Sequence, residues 1–524
     1  MNRLQNIAKI ISESGRDDEA HFLYRMILCI DPQNAEALYN IGLLSIRQNL
    51  SDDGAACVIR AVQLGGAAGL SRTVLLEAVN LAYREALTLS QTGRHHRSEV
   101  ALANLTVLAR TVNELRVLYA AVVCLAAALG RHDMAIAWCV DGLRLEMDEE
   151  SRTSILKAGL YLISIAKVND DLVSEMGRIS ADMIDRGQGF DVCYFSILYQ
   201  KYWNGDDIGA QNAANQFKYI LGDAGFLANN ILNSWHVCRY DEAFFTALPE
   251  ETALSSVIGP LRHEQMLPPG DGPVILISCD ARYLELLGTK LLDSACVVGA
   301  IRFVHLHVIN PTPASYEIIK TFERREGCII GLSTETASCV RTGSAIHKNK
   351  DLMKTYYACA RFIRLPEIAR LYHRPIAQID TDCLLISDIS RLPMCNSDKD
   401  VGFLHDGIKT GPARQFNATF FFLNNHQKSY EYATLLARYV AHFIAFDIPF
   451  WGLDQAALYC VYQYMRRQGQ APSTDTTPSW ELFEHIFPSG DDSLDGKIHK
   501  LEARLAALTA AYRDAGPRPV EALG

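Results

Sequence analysis

Asp380 and Asp382 stand one residue apart inside residues 375–389, PIAQIDTDCLLISDI, an otherwise apolar and strand-forming run. Ile376 and Ile379 precede them and Leu384, Leu385 and Ile386 follow, so the run reads as a buried strand that opens at Asp380-Thr381-Asp382. Burying an unpaired carboxylate is expensive. A divalent cation, a basic partner or a solvent-filled cleft at the strand's end would each relieve that expense. The cation answers best: two oxygen ligands at the carboxyl end of a strand suit Mg²⁺ or Mn²⁺ bridging a diphosphate, because hard ions take carboxylate and phosphate oxygens and keep open positions. Asp-x-Asp alone is a common pattern, so its surroundings must carry the assignment.

The elements that would position the pair lie on either side. Residues 274–280, VILISCD, form an apolar run of buried-strand type, followed by Tyr283 and a helical stretch through Leu292. A second strand is expected over 301–310, a helix over about 314–325 and a third short strand at 327–330. Such alternation predicts a mostly parallel α/β sheet with ligands beyond the strands' carboxyl ends. Residues 356–366, YYACARFIRLP, are helical in period and carry Arg361 and Arg364 just upstream of the carboxylates.

The run into Asp380 and Asp382 resembles the Asp-x-Asp strand of glycosyltransferases with the GT-A fold, especially those similar to glycosyltransferase family 8. Two further segments follow in that family's order. FNATFFFLN, residues 416–424, looks like its Phe-Asn-(small)-Gly-apolar strand, with Thr419 where the pattern has Gly. WGLDQAAL, residues 451–458, looks like its Asp-Gln helix start. The match covers roughly residues 272–500. It implies a Rossmann-like α/β domain that takes sugar from a nucleotide-diphosphate donor, a UDP-sugar, with Mn²⁺ or Mg²⁺ at Asp380 and Asp382. It implies roles for Asn417, Asp454 and Gln455 in orienting donor sugar or acceptor, and for Asp280 and Tyr283 at the base and ribose. The alternative for that last pair is a helix N-cap with a packed Tyr. Arg361, or alternatively Arg364, would neutralise the diphosphate through a bidentate contact. The family's His-x-x-Gly-x-Lys motif is present only in altered spacing around His485, Gly490 and Gly496, which makes His499 the candidate third metal ligand and Lys497 the candidate phosphate partner.

The amino-terminal part has another character. Leu4, Ile7, Ala8, Ile11, Ala20, Tyr24, Ile27 and Pro32 fall where a tetratricopeptide repeat places its packing residues, to which residues 15–42 are very similar. A shift of about 34 residues brings Leu38, Ile41, Gly42, Gly54, Val58 and Ala61 into the same slots. One helix pair cannot bury its face alone, so an α-solenoid is expected over residues 1–258. The loop at 91–100 with His95 and His96 reads as a solvated turn. Residues 259–273 are the linker: PLRHEQMLPPGDGP holds four Pro and two Gly. The sugar-transferase domain follows over 274–500. Apolar residues from Leu494 to Tyr512 recur at spacings of three and four, predicting a helix that continues into the 501–524 tail and docks on its own chain, or pairs with a second subunit.

The composition is that of an ordinary globular protein, 49% hydrophobic and 21% charged over 524 residues. A net charge of −10 argues against nucleic-acid or anionic-membrane binding. Fourteen scattered Cys without metal spacing read as reduced thiols of a cytoplasmic protein, and no apolar run of about 18 residues predicts a membrane span. The expected enzyme is a glycosyltransferase whose solenoid recruits a protein acceptor. A catalytically silent binding scaffold and an enzyme of surface polysaccharide synthesis are the alternatives.

Overall fold

The computed structural model describes residues 2–47, 118–166, 168–217, 237–250, 259–270, 272–298, 303–323, 329–337, 350–389, 392–395, 397–405, 411–445, 452–482, 484–489 and 493–514, with Trp235 and isolated helical positions between 54 and 106. His95, His96 and Trp451 lie outside the described residues. The chain forms two compact units, 1–205 and 206–524. Among the described residues no helix is long and apolar enough to cross a membrane.

In the first unit the described helices are α1 (Asn2–Glu13), α2 (Asp17–Ile30), α3 (Ala35–Arg47), α4 (Leu118–Ala128), α5 (His132–Arg144), α6 (Glu149–Ile165), α7 (Asp170–Asp185) and α8 (Phe190–Trp203). The small residues singled out in the sequence mark close approaches. Ala8 and Ala20 are fully buried with Tyr24 and Ile27. A Cβ on Gly42 would stand 2.7 Å from the Gly54 carbonyl and 2.6 Å from Val58 Cγ2, so that crossing admits only glycine. Side chains close several helix starts: Asp148 Oδ1 accepts from the Ser151 N–H at 2.8 Å, and Asn169 Oδ1 from that of Leu172 at 3.0 Å.

The second unit starts with helices read from sequence as solenoid, α9 (Asp207–Phe217) and α10 (Glu242–Ala247). Two later helices receive them, α14 (Gln427–Ala445) and α15 (Leu453–Arg467): α9 meets α15, and α10 packs on both. Arg467 meets the buried Asp207 carboxylate at 2.7 Å. Arg438 donates to the Leu248 carbonyl at 2.6 Å and the Pro249 carbonyl at 2.7 Å. Phe245 stacks on Tyr464 at 3.8 Å, and Phe244 meets the Tyr439 ring edge-on at 5.4 Å. The packing boundary therefore falls between Gly205 and Asp206, ahead of the Pro-rich segment.

That segment holds a strand of its own. β1 (Arg262–Gln265) is an antiparallel edge on an eight-stranded sheet ordered β1-β4-β3-β2-β5-β8-β7-β9. Its other members are β2 (Val274–Asp280), β3 (Phe303–Ile309), β4 (Ile329–Glu335), β5 (Ile376–Ile379), β7 (Val401–His405), β8 (Asn417–Leu423) and β9 (Thr474–Pro478). The block β4-β3-β2-β5 is parallel, as the alternation of strands and helices requires, and β8 runs antiparallel to both neighbours. Beside it, β6 (Cys383–Leu385) and β10 (Ile486–Pro488) form an antiparallel ribbon. Helix α11 (Thr289–Val298) follows β2, α12 (Pro313–Glu323) links β3 to β4, and α13 (Lys350–Tyr372) precedes β5. The last helix, α16 (Leu494–Asp514), docks on its own chain as expected: Leu501 is buried with Leu287 and Leu384, and Glu502 meets Lys290 at 3.0 Å.

Between the parallel strands and α13 lies a buried polar row. Ser278 and His307 stand side by side on β2 and β3 at 2.8 Å. Arg364 donates to Glu335 through Nε at 2.6 Å and to the Gly259 carbonyl at 2.9 Å, and Tyr356 donates to the same carboxylate. Burial opposes the charge on Glu335, but His307, Arg364 and Tyr356 outweigh it and hold the carboxyl at about 2. Burial first, then His307 and His263, drives His305 down to about 3. Both depressed values place protons on the unfolded chain that the folded chain refuses. Stability should accordingly fall as pH drops from about 6.5 towards 2, first through His305 and then through Glu335. Thermal melts across that range test this, and Glu335→Gln should cost roughly 3–5 kcal/mol near neutrality while flattening the acid limb below pH 4.5.

Candidate active site

Strand β5 is covered up to Ile379, and the chain then emerges between two anchors. The Asp380 N–H donates to the Thr419 carbonyl of β8 at 3.0 Å, and Thr381 Oγ1 donates to the Ser278 carbonyl of β2 at 3.1 Å. The two carboxylates are thereby held at the carboxyl ends of the central strands, 31% and 25% exposed.

Arg361, on α13 and 4% exposed, donates to Asp380 Oδ1 and, through its other terminal nitrogen, to Asp454 Oδ2 at 2.9 Å. The buried Gln378 amide, turned with its oxygen towards the guanidinium, accepts from Nε at 3.2 Å. The planar fork of Arg is what spans two carboxylates at once. Of the two candidate arginines it is Arg361 that faces the acids, while Arg364, one turn on, serves Glu335. Asp454 opens α15, and its Oδ1 accepts from the Gln455 N–H at 2.9 Å, a favourable end for a negative charge. Burial raises the pKa of its carboxyl, and Arg361 opposes the rise. Asn417 turns its Oδ1 onto the Thr419 N–H at 2.9 Å, fixing the start of β8 at the irregularity opposite Leu404.

Lys497, in the first turns of α16, donates to Asp382 Oδ2. Burial works against its charge, but Asp382 more than compensates, and the pKa stands above the ordinary lysine value. Lys497 thus meets the carboxylate expected to hold the ion. His499 does not join it. Two residues along a helix are about 200° around its axis, so a Lys497 facing Asp382 turns His499 outward, and His499 is exposed. Among the described residues no three His, Cys, Asp or Glu side chains are grouped to hold a metal. Asp280 adopts the N-cap alternative: its Oδ1 accepts from the Tyr283 N–H at 2.7 Å, and Tyr283 packs against apolar residues of the core. Gln378 was passed over in the sequence, although a polar residue within an apolar strand two places before Asp380 was the available signal.

The oxygens left over fit a hard divalent ion. Arg361 takes Oδ1 of Asp380 and Lys497 takes Oδ2 of Asp382, which leaves one oxygen of each carboxylate without a partner among the described residues, on side chains that are partly exposed. Ligating carboxylates are ordinarily steadied by such outer hydrogen bonds, and Mg²⁺-type sites combine one or two carboxylates with waters and substrate phosphates.

No protein-family model and no curated protein matches the chain. The chain is similar to glycosyltransferases of known structure. One is the apo structure of the WbbM bifunctional glycosyltransferase, at 11% identity over 47% of this chain and 53% of that one, with a TM-score of 0.29. Another is galactosyltransferase LgtC in complex with donor and acceptor sugar analogues, at 14% identity over 45% of this chain and 95% of that one, TM-score 0.30. A third is mouse xyloside xylosyltransferase 1, at 15% identity over 40% and 85%, TM-score 0.25. The chain spans about half the length of the first of these.

Proposed function

We propose that the second unit is a metal-dependent glycosyltransferase using a nucleotide-diphosphate sugar, and a UDP-sugar first among them. The observation that carries this reading is the convergence of Arg361, Asp380 and Asp454, from three separate segments, at the carboxyl ends of the parallel strands. The charge balance adds to it. Asp380, Asp382 and Asp454 outnumber Arg361 and Lys497, so the cluster is not positive enough to receive a diphosphate unaided. A divalent cation on Asp380 and Asp382 supplies the missing charge and, when bound, stabilises the negative charge developing on the departing diphosphate. Arg361 orients Asp380, and Lys497 orients Asp382 within reach of a phosphate oxygen. Asn417, Asp454 and Gln455 are the residues we read as orienting donor sugar or acceptor, Asp454 through Arg361. The helical unit is read as a repeat solenoid whose groove recruits a protein acceptor.

Incubating the protein with a panel of nucleotide sugars and Mg²⁺ or Mn²⁺ should release nucleotide from one of them. Asp382→Asn should reduce that release on the order of a thousandfold, since the ion is worth several kcal/mol of charge stabilisation, with little change in melting temperature. Metal-independent release, or none from any donor, would move the reading to a binding scaffold. For the acceptor, intact masses of proteins from cells with and without the Asp380/Asp382 pair should differ by hexose-sized increments on one or a few proteins.

A further inference from the structure

Helix α16 covers one face of the β6–β10 ribbon, and that face carries an unexplained oxygen. The register pairs Ile486 with Leu385, Phe487 with Leu384 and Pro488 with Cys383. One step further, Ser489 stands opposite Asp382, and the Ser489 N–H donates to the Asp382 carbonyl at 3.0 Å. Residues directly opposite in an antiparallel pair project to the same face. The Ser489 hydroxyl and the Asp382 carboxylate therefore share the face of Leu384 and Phe487, which pack with Leu501 and Ile498 of α16. Ser489 is 4% exposed, and its Oγ has no hydrogen-bond partner among the described residues.

A buried hydroxyl without a partner is costly and calls for an explanation. Its neighbour across the ribbon is a carboxylate with one oxygen still uncommitted, and the imidazole expected as a third ligand is turned away. We infer that Ser489 supplies a third protein oxygen to the cation held by Asp380 and Asp382, giving an oxygen-only site that takes hard ions such as Mg²⁺ and Mn²⁺ and discriminates against Ni²⁺ and Zn²⁺. The inference rests on the metal reading above. Its chemistry is that of donor type: carboxylate, hydroxyl and water oxygens suit hard cations, whereas an imidazole in the set would favour Ni²⁺ and Zn²⁺.

The test is equilibrium binding of Mn²⁺, followed by paramagnetic resonance, and of Ni²⁺, followed by calorimetry, to the full chain without donor. Ser489→Ala should weaken Mn²⁺ about tenfold, the lower end of what loss of a supporting ligand produces. It should also leave the metal-free melting temperature unchanged or raised, because an unpaired hydroxyl is removed. A merely structural serine would move both quantities together or move neither. Ser489→His should tighten Ni²⁺ at least tenfold by adding a nitrogen beside the two carboxylates. Asp382→Asn should abolish Mn²⁺ binding in every background. Wild-type Mn²⁺ binding that Asp382→Asn removes and Ser489→Ala leaves untouched would overturn the serine assignment alone. A wild-type chain that binds no Mn²⁺ would overturn the metal reading and this inference with it.

Discussion

Deletion of residues 1–205 is expected to leave a folded protein that still binds donor, whereas deletion of residues 1–258 is expected to unfold it. The difference is the stretch that carries α9 and α10. It buries Phe244, Phe245 and Tyr240 against Tyr439, Tyr459 and Tyr464. It also pairs Asp207 with Arg467, and it supplies the Val237 carbonyl and the Arg239 N–H to the fully buried Tyr439 hydroxyl. Each large side chain returned to water costs roughly 1.5–3 kcal/mol, and a buried hydroxyl stripped of its partners costs about 1–3 kcal/mol more. Together these losses rival the roughly 5–15 kcal/mol that holds a domain folded. Urea titration of the two fragments, followed by circular dichroism and size exclusion, measures the difference. Equal midpoints would show that the helical stretch is an appendage and that the unit begins at the edge strand.

Arg361→Met is expected to abolish donor binding and to lower stability by about 3–5 kcal/mol, the usual cost of stripping one partner from a buried charge cluster. Asp454 bears most of it, being 5% exposed and dependent on Arg361 for compensation. The sign with pH distinguishes this cause from lost packing. Burial already raises the Asp454 pKa and Arg361 opposes that rise, so the mutant pKa climbs further. A carboxyl whose folded pKa exceeds its unfolded value penalises folding at high pH and is relieved as pH falls. The stability deficit of Arg361→Met should therefore shrink between pH 8 and pH 5. Adding Asp454→Asn should recover much of it without restoring donor binding. A deficit independent of pH would assign the loss to packing. Arg361→Lys should keep the fold better yet bind donor weakly, since one ammonium cannot fork across Asp380 and Asp454.

The metal-strand candidate was legible in the sequence because its signals are local. An apolar run interrupted by Asp380 and Asp382 reports a strand leaving the core, whatever lies beside it, and the largely apolar runs at 274–280 and 301–310 announce the strands that the fold places at 274–280 and 303–309. The periodicity after Leu494 likewise announced α16, since one apolar stripe suffices to define a helix and its buried face. The α9–α10 stretch was read differently. A helical period says that a face is buried but does not say against what, so α9 and α10 passed as solenoid although Asp207 pairs with Arg467 of α15 and Phe244 and Phe245 pack on α14 and α15. β1 was hidden by the prolines around it, and its four exposed residues carry no burial pattern at all.

Tertiary structure alone decided which charges meet. Arg361 and Asp454 are separated by 93 positions, and no local rule distinguishes Arg361 from Arg364 until α13 is rotated against the sheet. Lys497 and His499 differ by two residues, so the single choice of helix phase that brings the ammonium to Asp382 sends the imidazole to solvent. Ser489 and Asp382 become neighbours only through the antiparallel register of β6 and β10. Sequence sets the period and polarity of each element because those depend on adjacent residues. Phase and register depend on what the element packs against, and it is phase and register that assemble this site.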